Sequence, residues 1–192
     1  MRRRDLLTTV VLPGLLSATS GCLGGGSADA VRATRTPVDL SGDKRDDNGG
    51  MVIGKHGGPN GQIFYVDNTP DGHENPAWFH TLSFGLFPYF FRHRQLGWEA
   101  EAIYATDYSA VDYTISSRDG QPVISAPTAP ETFGNARELR YVAGSDIHGG
   151  MGPDLIPFSN PSDLQTFIDD HGGRSMAFGD LTPEFLSQYV QR

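Results

Sequence analysis

Beyond the initiator, this 192-residue chain holds three methionines, and two of them stand where an apolar side chain has little to pack against. Met51 ends the triplet Gly49-Gly50-Met51, and Met151 ends Gly149-Gly150-Met151. Met176 is flanked by strand-forming residues and reads as core, the ordinary use of methionine. A histidine lies near each loop methionine: His56 after Met51, and His148 before Met151. Thioether sulfur and imidazole nitrogen together suit Cu(I), a soft monovalent ion. Thioethers need no deprotonation and form no disulfides, so such a site works outside the cell. The same residues also fit a metal-free arrangement, with a half-buried methionine capping each of two glycine turns.

The other chemistry-bearing residues say less. His80 and His93 lie on an aromatic segment and read as structural or solvent-facing, His73 as a loop-tip residue, and His171 as a helix C-terminal residue. There is no Gly-x-Ser-x-Gly elbow, no His-Glu-x-x-His helix and no glycine loop opening a helix. Ser145, His148 and Asp154 carry no weight as a catalytic set, and the chain is read as a non-enzyme. Fifteen Lys and Arg against 23 Asp and Glu leave no excess of positive charge for a large nucleic-acid surface. One cysteine excludes an intrachain disulfide and a Cys-rich zinc site.

That cysteine, Cys22, belongs to an address. Arg2, Arg3 and Arg4 precede an apolar stretch from Leu6 to Leu16, followed by small residues up to Cys22. The order matches an export signal, and its end resembles a lipobox, in which the cysteine becomes a lipid-bearing N-terminus. The arginines also resemble a twin-arginine signal. The expected division is a signal peptide over 1–21, a lipid-anchored flexible linker over 22–48, rich in Gly, Ser, Ala, Thr and Asp, and a globular domain over 49–192. No apolar run reaches the roughly 18 residues of a spanning helix.

The elements that must position the methionines form a weak repeat. After the first Gly-Gly-Met, residues 62–66 read as a strand; after the second, residues 155–158 do, with Pro157 marking an edge or a strand end. A helical segment follows in each half. The first runs over about 78–93, with Pro88 a possible break. The second opens at Asn160-Pro161, buries Leu164, Phe167 and Ile168, and stops at Gly172-Gly173. Strands over 101–105 and 175–178 close the halves. An opening strand is plausible over 139–143 and poor before Met51. Residues 111–115 and 122–124 read as a hairpin turning at Asp119-Gly120, and a last helix starts at Thr182-Pro183. The class is α+β: two similar ββαβ units joined by a central hairpin.

Residues 145–158, Ser-Asp-Ile-His-Gly-Gly-Met-Gly-Pro-Asp-Leu-Ile-Pro-Phe, resemble the signature of the NosL family, the lipoprotein accessory factors of nitrous oxide reductase. The likeness continues through Asp163, Phe167, Gly172-Gly173, Phe178 and Asp180, and backward over residues 102–108, covering about 49–182. It implies two ββαβ units, a lipid anchor on the outer face of the cytoplasmic membrane, Cu(I) binding, and delivery of copper to the copper-sulfide centre of nitrous oxide reductase. The family's first-half motif is Cys-Gly-Met, whereas this chain has Gly49-Gly50-Met51. Met51 and Met151 carry over by position; His148 and His56 are added as replacements for the missing thiolate. The competing reading is an exported lipoprotein that recognises a partner protein or small ligand and holds no metal. Metal titration separates the two.

Overall fold

A computed structural model describes residues 35–191; the expected signal peptide and Cys22 lie outside the described residues. Two ββαβ units share one strand order. In the first, β1 (Gly61–Tyr65) lies between β2 (Ala77–Phe79) and β3 (Ala100–Thr106), all antiparallel, and α1 (Phe87–Gln95) links β2 to β3. In the second, β7 (Arg140–Ala143) lies between β10 (Ile156–Phe158) and β11 (Arg174–Ala177), and α2 (Pro161–His171) links those two edges. Pro157 sits on the edge strand β10, where its missing N–H costs no ladder bond. A fourth strand, β6 (Phe133–Asn135), extends the first sheet beside β3.

The ββαβ repeat therefore stands, but the strand equivalence expected from Gly-Gly-Met does not. β1 corresponds to β7, and β10 to β2. Met51 precedes the first strand of its unit, whereas Met151 lies between the first and second strands of its own. A two-fold relation between equivalent methionine loops is thereby lost. The pairing misled because β2 is only three residues long and lies inside the aromatic run read as helix.

That run divides in three. After β2, Leu82–Leu86 form one π-turn, in which Leu86 N–H donates to Thr81 O at 3.0 Å, five residues back. Only then does α1 begin, with Pro88 in its first turn, where no intrahelical donor is needed. Pro88 thus starts the α-helix rather than breaking it. α2 follows its sequence signals: Asn160 accepts from Ser162 N–H at 2.8 Å, and Gly172 ends the helix at φ 72°. At α3 (Pro183–Tyr189) the Thr182 hydroxyl caps Phe185 N–H.

The central hairpin pairs β4 (Ile115–Arg118) with β5 (Gln121–Ile124) around Asp119 (φ 51°) and Gly120 (φ 81°), a two-residue turn with both φ positive. Its first strand starts later than expected, since residues 111–114 lie outside the ladder. β5 then pairs in parallel with β8 (His148–Gly149), which turns back into β9 (Gly152–Pro153). The hairpin is thus what holds the second methionine loop.

Alternation along β7 divides the core. Tyr141 and Ala143 point into the largest cluster, with Ile63 and Tyr65 of β1, Phe87 of α1 and Leu186 of α3, while Val142 faces Phe158, Leu164 and Phe167 on the α2 side. A third cluster, of Leu40, Ile53 and Phe133, covers the back of the first sheet. Leu40 is fully buried, Asp46 nearly so, and Val38 exchanges hydrogen bonds with the Gln62 amide. Residues 38–48, expected in the linker, therefore belong to the globular part. Their polar composition hid this, because their anchors are one leucine and one buried aspartate.

Candidate functional site

The first methionine loop is closed by one side chain. Asp46 O accepts from Gly50 N–H at 2.7 Å, and Asp46 N–H donates to Met51 O at 2.8 Å. Asp46 Oδ1 accepts from Asn48 N–H at 2.7 Å and Gly49 N–H at 2.8 Å. Asp46 Oδ2 accepts from His80 twice, from the backbone N–H at 2.8 Å and from Nδ1 at 2.7 Å. Burial pushes the Asp46 carboxyl up, but the hydrogen bonds from the His80 side chain and from the His80 and Gly49 backbones outweigh it and leave the pKa below the usual value.

His80 lies just after β2, 1% exposed, and its Nε2 has no hydrogen-bond partner. An unpaired buried polar atom costs about 1–3 kcal/mol, so a native fold rarely retains one without use. The expectation of a structural or solvent-facing His80 is half met: the ring is anchored and wholly buried, yet one nitrogen is unspent.

The second methionine loop is laid on the same ring. A Cβ built at Gly150 would stand 3.2 Å from His80 Cδ2, the atom bonded to Nε2, and 3.1 Å from Gly57 O. One at Gly149 would collide with Gly58 O at 2.6 Å and with the Asp154 side chain at 2.7 Å. Only glycines allow the 149–150 backbone to lie this close. Met51 and Met151 are 36% and 52% exposed, and they are two of the four exposed large hydrophobic residues among those described. Met176 is buried in the main core, as its flanking residues imply.

Asp154 ties the second loop to the first unit. It accepts from the backbone N–H groups of Ser83 at 2.8 Å, Leu82 at 3.2 Å and Leu155 at 2.8 Å. Complete burial pushes its carboxyl up to about 6 despite these donors.

The two histidines named with the methionines are in this neighbourhood. His148 is half-buried in β8, opposite Pro153 and Val123. His56 is half-buried, its carbonyl accepts from the Arg118 guanidinium, and that carbonyl is 3.5 Å from a Cβ placed on Gly150. His73 is no free loop tip: it stacks on Trp78 at 3.8 Å, and its Nε2 lies 2.8 Å from Asp47 Oδ1. His93 stacks on Tyr89 at 3.8 Å and His171 packs on Phe167 at 4.8 Å, both structural as read. Among the described residues no group of three His, Cys, Asp or Glu side chains converges for a metal.

Sequence reasoning found the methionines and missed Asp46 and His80. The two are 34 residues apart and no local motif joins them; a lone aspartate and histidine become a pair only through the fold.

Comparison with known proteins follows this geometry. No curated protein matches the chain in sequence. The crystal structure of the copper chaperone NosL from Shewanella denitrificans matches with a TM-score of 0.60 at 23% identity, covering 76% of this chain and 94% of that one. The sequence model of the NosL family matches residues 37–186, from the segment that holds Leu40 and Asp46 to α3. The chain belongs to the NosL family.

Proposed function

We propose that this protein carries Cu(I) outside the cytoplasmic membrane, anchored by lipid on Cys22, and delivers it for assembly of the copper-sulfide centre of nitrous oxide reductase. Copper is cargo in this reading and no catalysis is assigned. One observation carries it: two methionine loops, 100 residues apart in sequence and not equivalent in topology, meet at the Asp46–His80 pair, the first bonded to Asp46 and the second packed on the His80 ring, and both methionines are exposed. Exposed methionines on rigid glycine turns have no packing role to explain them. Two thioethers and a nearby imidazole suit Cu(I) and discriminate against harder divalent ions. Family membership and the fold shared with a copper chaperone support the assignment. The sequence around Cys22 supports the anchor.

The test is competition for Cu(I) against a chromophoric chelator. Wild type should bind one equivalent. Met51→Leu and Met151→Leu keep volume and remove sulfur, so each should weaken binding at least tenfold without unfolding the protein. Unchanged affinity in both variants overturns the sulfur site. Absence of binding in wild type favours the metal-free reading, a lipoprotein that recognises a partner protein.

A further inference from the structure

We propose that His80 is the nitrogen ligand of the copper site, presented by Asp46, and that this pair stands in for the thiolate the chain lacks at Gly49. The inference rests on the copper reading and specifies its ligands.

Asp46 determines which ring nitrogen is free. Its carboxylate receives four N–H groups: those of Asn48 and Gly49 on Oδ1, and the backbone and Nδ1 of His80 on Oδ2. Since a carboxylate oxygen in this setting only accepts, Nδ1 carries a ring proton, and in the neutral imidazole the lone pair is then on Nε2. A histidine that ligates a metal commonly donates its other ring N–H to a carboxylate, which orients the ring and raises its basicity. Here the orienting half is built, and the ligating half is a buried nitrogen with no partner.

The placement is equally specific. The carboxylate that orients His80 also holds the backbone of Asn48 and Gly49, two residues before Met51. The edge of the ring that carries Nε2 lies under Gly150, one residue before Met151. The Asp46–His80 pair thus touches the backbone of both methionine loops, whereas the contacts of His148 and His56 are made through their backbones. The glycine turn at 149–150 is packed against the Cδ2 edge of the ring, next to Nε2.

Charge completes the argument. Two thioethers and a neutral imidazole bring no charge to Cu(I). A thiolate would balance the ion directly; the Asp46 carboxylate balances it through the imidazole. Side-chain space at Gly49 is open, with only Asp46 Oδ1 within reach of a Cβ, at 3.8 Å. The residue that lacks the thiolate and the residue that replaces its charge are therefore neighbours.

The experiment uses the folded, signal-free protein. In the metal-free state, long-range proton–nitrogen NMR should show His80 protonated on Nδ1 with a bare Nε2, and Ag(I), a diamagnetic probe for Cu(I), should shift Nε2. His80→Phe should weaken Cu(I) binding at least tenfold, while His56→Gln and His148→Gln stay within about twofold of wild type. Asp46→Asn turns an amide N–H toward Nδ1 and moves the ring proton to Nε2. Its affinity should fall as in His80→Phe, and the double variant should lose nothing more. A merely structural Asp46 would lower thermal stability and leave the His80 tautomer unchanged. Wild-type affinity in His80→Phe, with loss in the methionine variants, sinks this inference and leaves the copper reading standing. Absence of Cu(I) binding in wild type removes both. Should His80→Phe fail to fold, an Nε2 that carries a proton or ignores Ag(I) overturns the proposal by itself.

Discussion

Gly49 is where this chain departs from the Cys-Gly-Met motif that it resembles, and the backbone there accepts the missing side chain. It is exposed, and a Cβ would meet nothing nearer than 3.8 Å. Gly49→Cys should add a thiolate to the methionine site and tighten Cu(I) binding at least tenfold in the same chelator competition, because thiolate is both softer and charged. Asp154 gives a prediction of another kind. Its folded pKa, about 6, lies above the ordinary carboxyl value, so the folded state holds its proton more tightly. Its favourable contribution is fully present below about pH 4 and is lost as pH rises through 6, on the order of 2–3 kcal/mol. Asp154→Asn cannot titrate. The stability of wild type relative to this variant should therefore fall by that amount between pH 4 and pH 7, measured by urea unfolding; a constant difference would refute it.

At the scale of elements, the π-turn over Leu82–Leu86 matters more than its length suggests. It puts Gly85 so close to Asp46 that a Cβ would stand 2.8 Å from Oδ2, with Thr81 Oγ1 at 3.2 Å and Phe79 Cβ at 3.3 Å. In an ordinary exposed helix Gly→Ala stabilises by up to about 1 kcal/mol. Here Gly85→Ala should destabilise by roughly 1–3 kcal/mol through overpacking, and should weaken Cu(I) binding by displacing the carboxylate that orients His80. α2 supplies the contrast. Asn160→Ala removes its cap and should cost about 1 kcal/mol in chemical denaturation with no change in copper affinity, because α2 packs on the far face of the second sheet. The sequence made α2 and α3 plain, since their caps and first-turn prolines are local signals. It left β2 and the π-turn hidden inside an aromatic run, because a three-residue strand is too short to show a period of its own.

For the whole molecule, the repeat and the address lead to separate expectations. The two units have one strand order, yet their helices serve different neighbours: α1 packs in the large core with α3, while α2 closes a smaller core against Phe158 and Val142. The methionine loops come from non-equivalent places in the units, so removing either unit removes one of the two methionines. The address concerns location alone. Cys22→Ser should abolish lipid attachment, releasing the protein from the membrane fraction or halting its processing, while Cu(I) affinity of the folded part stays unchanged. A variant that is cleaved normally and remains in the membrane would rule out the lipid anchor.

What the sequence determined by itself are the features whose causes are local: two capped helices, an Asp-Gly hairpin, the alternating strands, and two methionines placed where packing has no use for them. Each follows from dihedral preference, hydrogen bonds a few residues apart, or polarity of the immediate surroundings. Only the tertiary structure decided that the strap over 38–48 is part of the core, that the Gly-Gly-Met segments occupy unlike positions, and that Asp46 meets His80. Those depend on contacts across 24 to 93 residues, where the free energy comes from burial and pairing that no window of sequence contains. A buried carboxylate and an imidazole with a spare nitrogen are unremarkable as letters. Folded together, they leave one ring nitrogen anchored and the other buried without a partner.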